Sequence, residues 1–257
     1  MATLSITGDG TPIAIIRGGR DGDKIIDIRN TAENEPAIRE ITLVEGTFES
    51  IPNIRERQID RLYVSGPTGC GKSTYCHQYV RNCLRMNPSM EFYIFSRLDS
   101  DESSKLDELQ PIRIIVDDDF AKMKIDISQF SNSVCLFDDI DVSASGEASK
   151  KAQKLLDQML QVGRHNNINV IYANHMACNY KQTRLILAEA NKIVLFPSSG
   201  DHRNVERVLK EYVGLSDDFI RQCMRNKSRY ILISKTAPMY VLTETGVFIP
   251  KSKYEKL

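Results

Sequence analysis

From Arg61 onward, short apolar runs alternate with stretches whose apolar residues recur at helical spacing. "RLYVS", "EFYIFS", "SVCLFDD", "INVIYAN" and "NKIVLF" read as strands, with "IRIIVD" a weaker one suited to a sheet edge. "TYCHQYVRNCLRM" and "SKKAQKLLDQMLQV" read as helices, the second ending at Gly163. Strands that are apolar along nearly their whole length, alternating with helices, predict a parallel sheet covered on both faces. Near the C-terminus, "RYILIS" and "MYVLTE" predict a further β pair across a Pro-containing turn.

The first 57 residues follow a different pattern. "PIAIIRGGRDGDKIIDIRN" places two β-like runs around a Gly/Asp-rich turn, as a hairpin would, and "AIREITLVEGTFESI" adds another β-prone run. The expected organisation is therefore a small β-rich region over 1–57, followed by an α/β domain over 58–257 that carries the C-terminal β pair. No internal repeat or low-complexity segment interrupts it.

Between "RLYVS" and the first helix lies Gly66-Pro67-Thr68-Gly69-Cys70-Gly71-Lys72-Ser73-Thr74, a full G-x-x-x-x-G-K-[ST] phosphate loop. Glycines let the backbone curl so that successive N–H groups point at phosphates. Lys72 reaches the β- and γ-phosphates, the Ser73 hydroxyl suits Mg²⁺, and the helix start adds its positive end. ATP and Mg²⁺ are the cofactors this motif predicts.

The second half of such a site is Val134-Cys135-Leu136-Phe137-Asp138-Asp139. Its carboxylates emerge at the C-terminal end of an apolar strand, where open parallel sheets bind ligands. Asp138 is the expected Mg²⁺ ligand, directly or through water. Asp139 is the expected base that orients and deprotonates the attacking water, with a solvated turn aspartate as the alternative. "EFYIFS" intervenes between the phosphate-loop strand and the acidic strand, and "INVIYAN" follows. That order resembles the RecA-like branch of P-loop NTPases, in which the following strand ends in a polar sensor. Asn174 occupies that place with His175 beside it, although a capping asparagine would read the same way.

Composition narrows the partners. With 34 basic and 34 acidic residues the net charge is zero, so nucleic-acid contact has to come from a local patch. No apolar run approaches the roughly 18 residues of a membrane span. The N-terminus lacks the charged start and apolar core of a secretory signal. Six scattered cysteines show no CxxC pair, and His175-Met-Ala-Cys178 has no second pair to complete a metal site. These features predict a soluble protein of the cytosol or nucleus.

Several nucleotide-using classes fit poorly. "NKIV" at Asn191 breaks the N-K-x-D expected of Ras-type GTPases, and no arginine-rich lid marks a small-molecule kinase. An AAA+ machine would carry an extra helical domain, whereas the residues after Phe196 return to β structure.

"EFYIFSRLDSDESSKLDEL", "LLDQMLQVGRHNNINVIYANH" and "ANKIVLFPSSGDHRNVERVLKEYVGL" together resemble the DNA-packaging ATPases of large double-stranded DNA viruses and virophages, within the FtsK–HerA group. The resemblance covers about residues 58–215, and its F-S-R, G-R-H-N and F-P-x-x-G landmarks are more specific than the loop alone. It implies an ATPase that translocates duplex DNA into a preformed capsid as a pentameric or hexameric ring. The partners implied are sequence-independent double-stranded DNA and a capsid or portal protein. The setting implied is the host cytoplasm or viral factory, with the virion as a further location. In such rings an arginine of one subunit reaches the neighbour's γ-phosphate. Arg164 is the candidate, with a surface or helix-capping arginine as the alternative reading and Arg184 and Arg203 as fallbacks. Many such motors have glutamate after the magnesium-binding aspartate, where this chain has Asp139.

For DNA contact, "DVSASGEASKKAQK" offers Lys150, Lys151 and Lys154, and "QCMRNKSR" offers Arg221, Arg225, Lys227 and Arg229, with solvated faces the alternative for both. A helicase or plasmid-transfer translocase on the same core, or a slow nucleotide-dependent binding protein, are the competing functions.

Overall fold

All seven residues of Ile168–Asn174 are buried, as a strand in the middle of a parallel sheet requires. The computed structural model describes residues 2–31, 35–53, 58–99, 105–140, 146–178, 183–197, 202–225 and 228–251. The chain divides into two compact units, Met1–Ile51 with Lys192–Leu257, and Pro52–Asn191. Sequence placed a boundary at 57 and kept the C-terminal strands with the ATPase region; by compactness those strands group with residues 1–51.

The first unit begins with β1 (Ala2–Ser5), β2 (Thr11–Arg17), β3 (Ile25–Asn30), β4 (Glu40–Thr42) and β5 (Thr47–Ser50). β2 and β3 form the expected antiparallel hairpin, and β1 and β5 complete a sheet in the order β1-β3-β2-β5. "AIREITLVEGTFESI" is two strands, not one run, because "VEG" turns the chain between β4 and β5.

The second unit carries β6 (Arg61–Ser65), α1 (Lys72–Met86), β7 (Glu91–Ser96), β8 (Ile112–Ile115), α2 (Asp118–Lys122), β9 (Ser133–Asp138), α3 (Glu147–Val162), β10 (Ile168–Asn174) and α4 (Arg184–Glu189). Its strands are parallel and ordered β6-β10-β9-β7-β8, with β8 paired to β7. Sequence order put β7 between the phosphate-loop strand and the acidic strand. In the sheet it is β10 that lies between β6 and β9, and β7 lies beyond β9. The helical crossovers permit this, since a parallel connection need not join adjacent strands.

Helix α3 buries Ala152, Leu155, Leu156, Met159 and Leu160, a stripe at three- and four-residue spacing. Helix α1 buries Tyr75, Cys76, Tyr79, Val80 and Cys83 in the same way. Aromatic packing fills the sheet face: Phe95 and Phe137 stack with ring centres 4.4 Å apart. Each such large side chain removed from water contributes about 1.5–3 kcal/mol before ordering costs.

One buried polar network pins the start of this unit. Asp60, 1% exposed, accepts hydrogen bonds from the Tyr79 hydroxyl and from Asn53 N–H (2.7 Å), while its own N–H donates to Asn169 Oδ1 at 2.8 Å. It ties α1 and β10 to the chain that enters β6.

The first unit resumes with β11 (Lys192–Leu195), α5 (His202–Arg207), a π-turn over Val208–Tyr212, α6 (Asp217–Arg225), β12 (Ile231–Ser234), β13 (Tyr240–Thr243) and β14 (Gly246–Phe248). β12 and β13 are the expected antiparallel pair, and β14 and β4 continue the sheet beside them.

Candidate functional site

The parallel strands of the second unit end together, and three of those ends build the site. β6 runs into the phosphate loop, β9 ends in the acidic pair, and β10 between them ends at Asn174. The loop is fastened to its neighbour by main chain: Gly66 N–H donates to Asn174 O at 3.1 Å, one step past the Ser65–Asn174 pairing. Gly69 (φ 79°) and Gly71 (φ 108°) lie in left-handed backbone that favours glycine. Gly71 caps α1, so the loop curls back over the N-terminus of a 15-residue helix.

Within the loop, Gly66 and Lys72 are buried, Pro67, Cys70, Gly71 and Ser73 half-buried, and Thr68, Gly69 and Thr74 exposed. Lys72 Nζ donates to Gly66 O (2.7 Å) and Pro67 O (3.3 Å) and lies 3.2 Å from His175 Nδ1. The ring's other nitrogen, Nε2, lies 2.7 Å from Asp139 Oδ2, and Thr68 Oγ1 is 3.4 Å from Nδ1. An ammonium group only donates, so His175 Nδ1 is the acceptor there and Nε2 carries the proton toward Asp139.

Asp139 itself sits in left-handed backbone (φ 48°), uncommon for a residue with a side chain. Its N–H points to Ala173 O at 3.4 Å, and its second carboxylate oxygen, Oδ1, is buried without a protein partner among the described residues. Asp138 precedes it, half-buried at the strand's end. Burial pushes the Cys76 thiol, one turn into α1, far above the ordinary range; the nearby Asp138 carboxylate pushes the same way, and Lys72 opposes it. Asp138 and Lys72 therefore both lie within electrostatic reach of the first turn of α1, and the Cys76 thiol is not a nucleophile here.

These residues fit the cofactors the motif predicts. Ser73 and Asp138 offer two hard oxygen donors, and no group of three His, Cys, Asp or Glu that could hold a metal occurs among the described residues. Mg²⁺ suits such a sparse set, because it keeps several waters and takes remaining ligands from phosphate. Bound there, it would neutralise charge on the β- and γ-phosphates.

Asn174 is 8% exposed, and its carboxamide is engaged locally: Nδ2 donates to the Tyr172 hydroxyl (3.1 Å) and Oδ1 accepts from Met176 N–H (3.3 Å). The Tyr63 hydroxyl donates to Met176 O at 2.7 Å. Together these bonds fix the backbone on either side of His175, and it is the histidine that meets Lys72 and Asp139. From sequence His175 is only Asn174's neighbour; nothing local marks it, because its partners come from two other strand ends.

Arg164 lies in a single turn of 3-10 helix (Gly163–Asn166) just before β10 and is exposed. Asn174 is at the other end of that seven-residue strand, whose two ends lie roughly 20 Å apart at ~3.3 Å per step. Arg164 is therefore out of reach of the phosphate loop of the same chain. Arg184 opens α4 and Arg203 lies in α5, both exposed.

Of the basic residues considered for DNA, Lys151 is committed elsewhere: its Nζ donates to Phe120 O (2.7 Å), Ala121 O (3.1 Å) and Met123 O at the end of α2. Lys150 and Lys154 remain exposed. In the second cluster, Arg229 pairs with Glu244 at 2.7 Å, Arg221 pairs with Asp218, and Arg225 is exposed. Lys227, residues 141–145 of the polar segment and the x-x-G of F-P-x-x-G lie outside the described residues.

The family model for the "ATPase family associated with various cellular activities (AAA)" matches residues 62–200, which take in β6, the phosphate loop, the acidic pair and β10. The chain belongs to the AAA ATPase family. It is an ATP hydrolase on a P-loop core. The return to β structure after Phe196 fits an AAA+ machine poorly, for want of an extra helical domain. That exclusion fails because the match lies in the core, ahead of α6 and the C-terminal strands.

Over 248 residues this AAA ATPase is 34% identical to an uncharacterized protein, V3, of Sputnik virophage, covering 96% of this chain and 98% of that one. Among solved structures, the pCW3 conjugation coupling protein TcpA aligns at TM-score 0.52, with 12% identity, over 91% of this chain and 77% of that one. The DNA-packaging ATPase B204 of Sulfolobus turreted icosahedral virus aligns at TM-score 0.47, with 13% identity, over 76% and 100%. No described helix is long and apolar enough to cross a membrane.

Proposed function

We propose that this AAA ATPase is a motor that uses ATP hydrolysis to translocate double-stranded viral DNA into a preformed capsid. The observation that carries the step from ATPase to viral motor is kinship with a virophage chain along almost the whole length of both. The resemblance of the F-S-R and G-R-H-N landmarks to viral DNA-packaging ATPases supports it, as does a fold shared with a conjugation coupling protein.

In this proposal, backbone amides of the loop and Lys72 hold the β- and γ-phosphates of ATP, and Ser73 and Asp138 hold Mg²⁺. Asp139, on its strand end beside the loop, orients the attacking water and takes its proton. Arg164 cannot reach its own site, so it acts across a ring interface on the neighbour's γ-phosphate, where a guanidinium fork stabilises transition-state charge. Exposed lysines and arginines, Lys150, Lys154 and Arg225 among them, contact DNA phosphates without reading bases. A capsid or portal protein anchors the ring, in the host cytoplasm or viral factory or on the virion.

The test is ATP turnover with and without duplex DNA. Duplex stimulates a motor, and addition of salt removes the stimulation. A forked duplex separates the alternatives, because a helicase unwinds it and a packaging motor leaves it paired.

A further inference from the structure

Lys72 has three N–H donors, and three protein acceptors lie within reach: Gly66 O, Pro67 O and His175 Nδ1. A γ-phosphate that draws on this ammonium group takes a donor from one of them. Gly66 O holds the shortest bond, at 2.7 Å; Pro67 O and His175 Nδ1, at 3.3 and 3.2 Å, are the weaker claims. On the far side of the ring, Nε2 is 2.7 Å from the carboxylate of Asp139. One imidazole thus touches both the group that grips phosphate and the group placed to activate water.

We propose that His175 is a positioning residue that couples phosphate contact at Lys72 to the orientation of the Asp139 carboxylate. This rests on the site assignment above and deepens it. Three features equip the histidine for the task. Its backbone is clamped on both sides, by the Gly66–Asn174 main-chain bond and by the Asn174 and Tyr63 side chains on Met176. Its side chain is only partly exposed, at 36%, so the ring can pivot at the mouth of the site without leaving it. Asp139, held in left-handed backbone, has one oxygen on the ring and the other, Oδ1, buried without a protein partner among the described residues.

The mechanism follows from these contacts. With Lys72 on His175 Nδ1, the ring is fixed at both nitrogens and holds Asp139 Oδ2. When phosphate takes over the lysine donor, Nδ1 is left with only the longer contact to Thr68 Oγ1 (3.4 Å) and the bond to Asp139 becomes the ring's main tether, so the carboxylate can follow it toward the water.

The test is a double-variant cycle on ATP turnover, combined with nucleotide binding. His175→Ala is expected to lower kcat by about 10- to 100-fold while the Kd for ATPγS changes less than about threefold. Because the histidine acts through Asp139, the double variant Asp139→Asn/His175→Ala is expected to be no slower than Asp139→Asn alone. His175→Gln, which retains a donor at the Nε2 position, is expected to recover most of the lost kcat. His175→Asn, which retains only the position facing Lys72, is not.

Wild-type kcat in His175→Ala, or losses that multiply in the double variant, overturn the proposal. If His175→Ala melts or loses nucleotide, the glutamine and asparagine variants decide: equal kcat in the two means a structural role and overturns it. Normal turnover in Lys72→Ala would instead indict the site assignment itself.

Discussion

Gly66 N–H donates to the carbonyl oxygen of Asn174 at 3.1 Å, so the entrance of the phosphate loop and the exit of the neighbouring strand are one main-chain connection. Whatever displaces the loop displaces the segment carrying His175, and the converse holds. The proposed hydrolysis site is therefore a junction of three strand ends, joined by hydrogen bonds within the protein.

Lys72→Ala is the first expectation. The ammonium group is anchored on loop carbonyls and meets only the half-buried His175 ring beyond the loop, so the fold persists and thermal melting changes little. ATP turnover falls at least about 100-fold, because the developing charge on the transferred phosphoryl group loses its nearest cation. Steady-state phosphate release and a melting curve on the same sample check both halves.

Asp139→Asn isolates the carboxylate charge. Asparagine tolerates left-handed backbone and preserves the shape, so the φ of 48° is no obstacle. Nucleotide binding is retained while kcat falls about 100- to 10,000-fold. Binding of a fluorescent ATP analogue, set beside turnover, separates the two.

Residues distant in sequence decide what could be foreseen. The phosphate loop and the Asp138-Asp139 pair are legible because each is a contiguous word whose chemistry is local. His175 is not, since its contacts are made with Lys72 from one strand end and Asp139 from another. From sequence Lys151 is a candidate contact for DNA phosphate or part of a solvated helix face; only the fold brings the carbonyl end of α2 beneath it. Likewise the buried apolar runs predicted a parallel sheet, but not that β10 lies between β6 and β9, because the crossover helices allow several strand orders.

Tyr79→Phe tests the buried anchor beneath the site. Its hydroxyl donates to Asp60, which is 1% exposed, so the change leaves a carboxylate short of a donor in the core. Stability is expected to fall by about 1–3 kcal/mol in urea unfolding, with ATP affinity unchanged in the folded fraction.

Alkaline pH should unfold the protein through its buried thiols. Burial pushes the Cys135 thiol up to about 12, and a hydrogen bond with Ser133 opposes this only in part. An unfolded thiol ionises near 9. The folded form therefore keeps its proton where the unfolded form loses it. The contribution is complete below pH about 9 and is lost as pH rises toward about 12, at up to about 1.4 kcal/mol per pH unit. Cys135→Ala is expected to shift stability by a constant amount below pH 9 and to flatten the slope above it, as urea midpoints across that range would record.

Arg164→Ala carries the prediction about assembly. Exposed and at the far end of β10 from its own loop, Arg164 is not needed for nucleotide to bind. The variant should bind ATP normally and hydrolyse it slowly, and mixing it with Lys72→Ala subunits should restore part of the turnover. Weakened binding, or no rescue on mixing, contradicts an action across subunits.

The most direct measurement is ATP turnover by the whole chain, titrated with duplex DNA at about 50 mM and about 200 mM salt, with Lys72→Ala as the blank. A DNA motor is expected to hydrolyse ATP several-fold faster with duplex at the lower salt and to lose most of that stimulation at the higher, whatever the DNA sequence. Turnover indifferent to duplex at both salts would contradict it, and leave an ATPase whose work lies elsewhere.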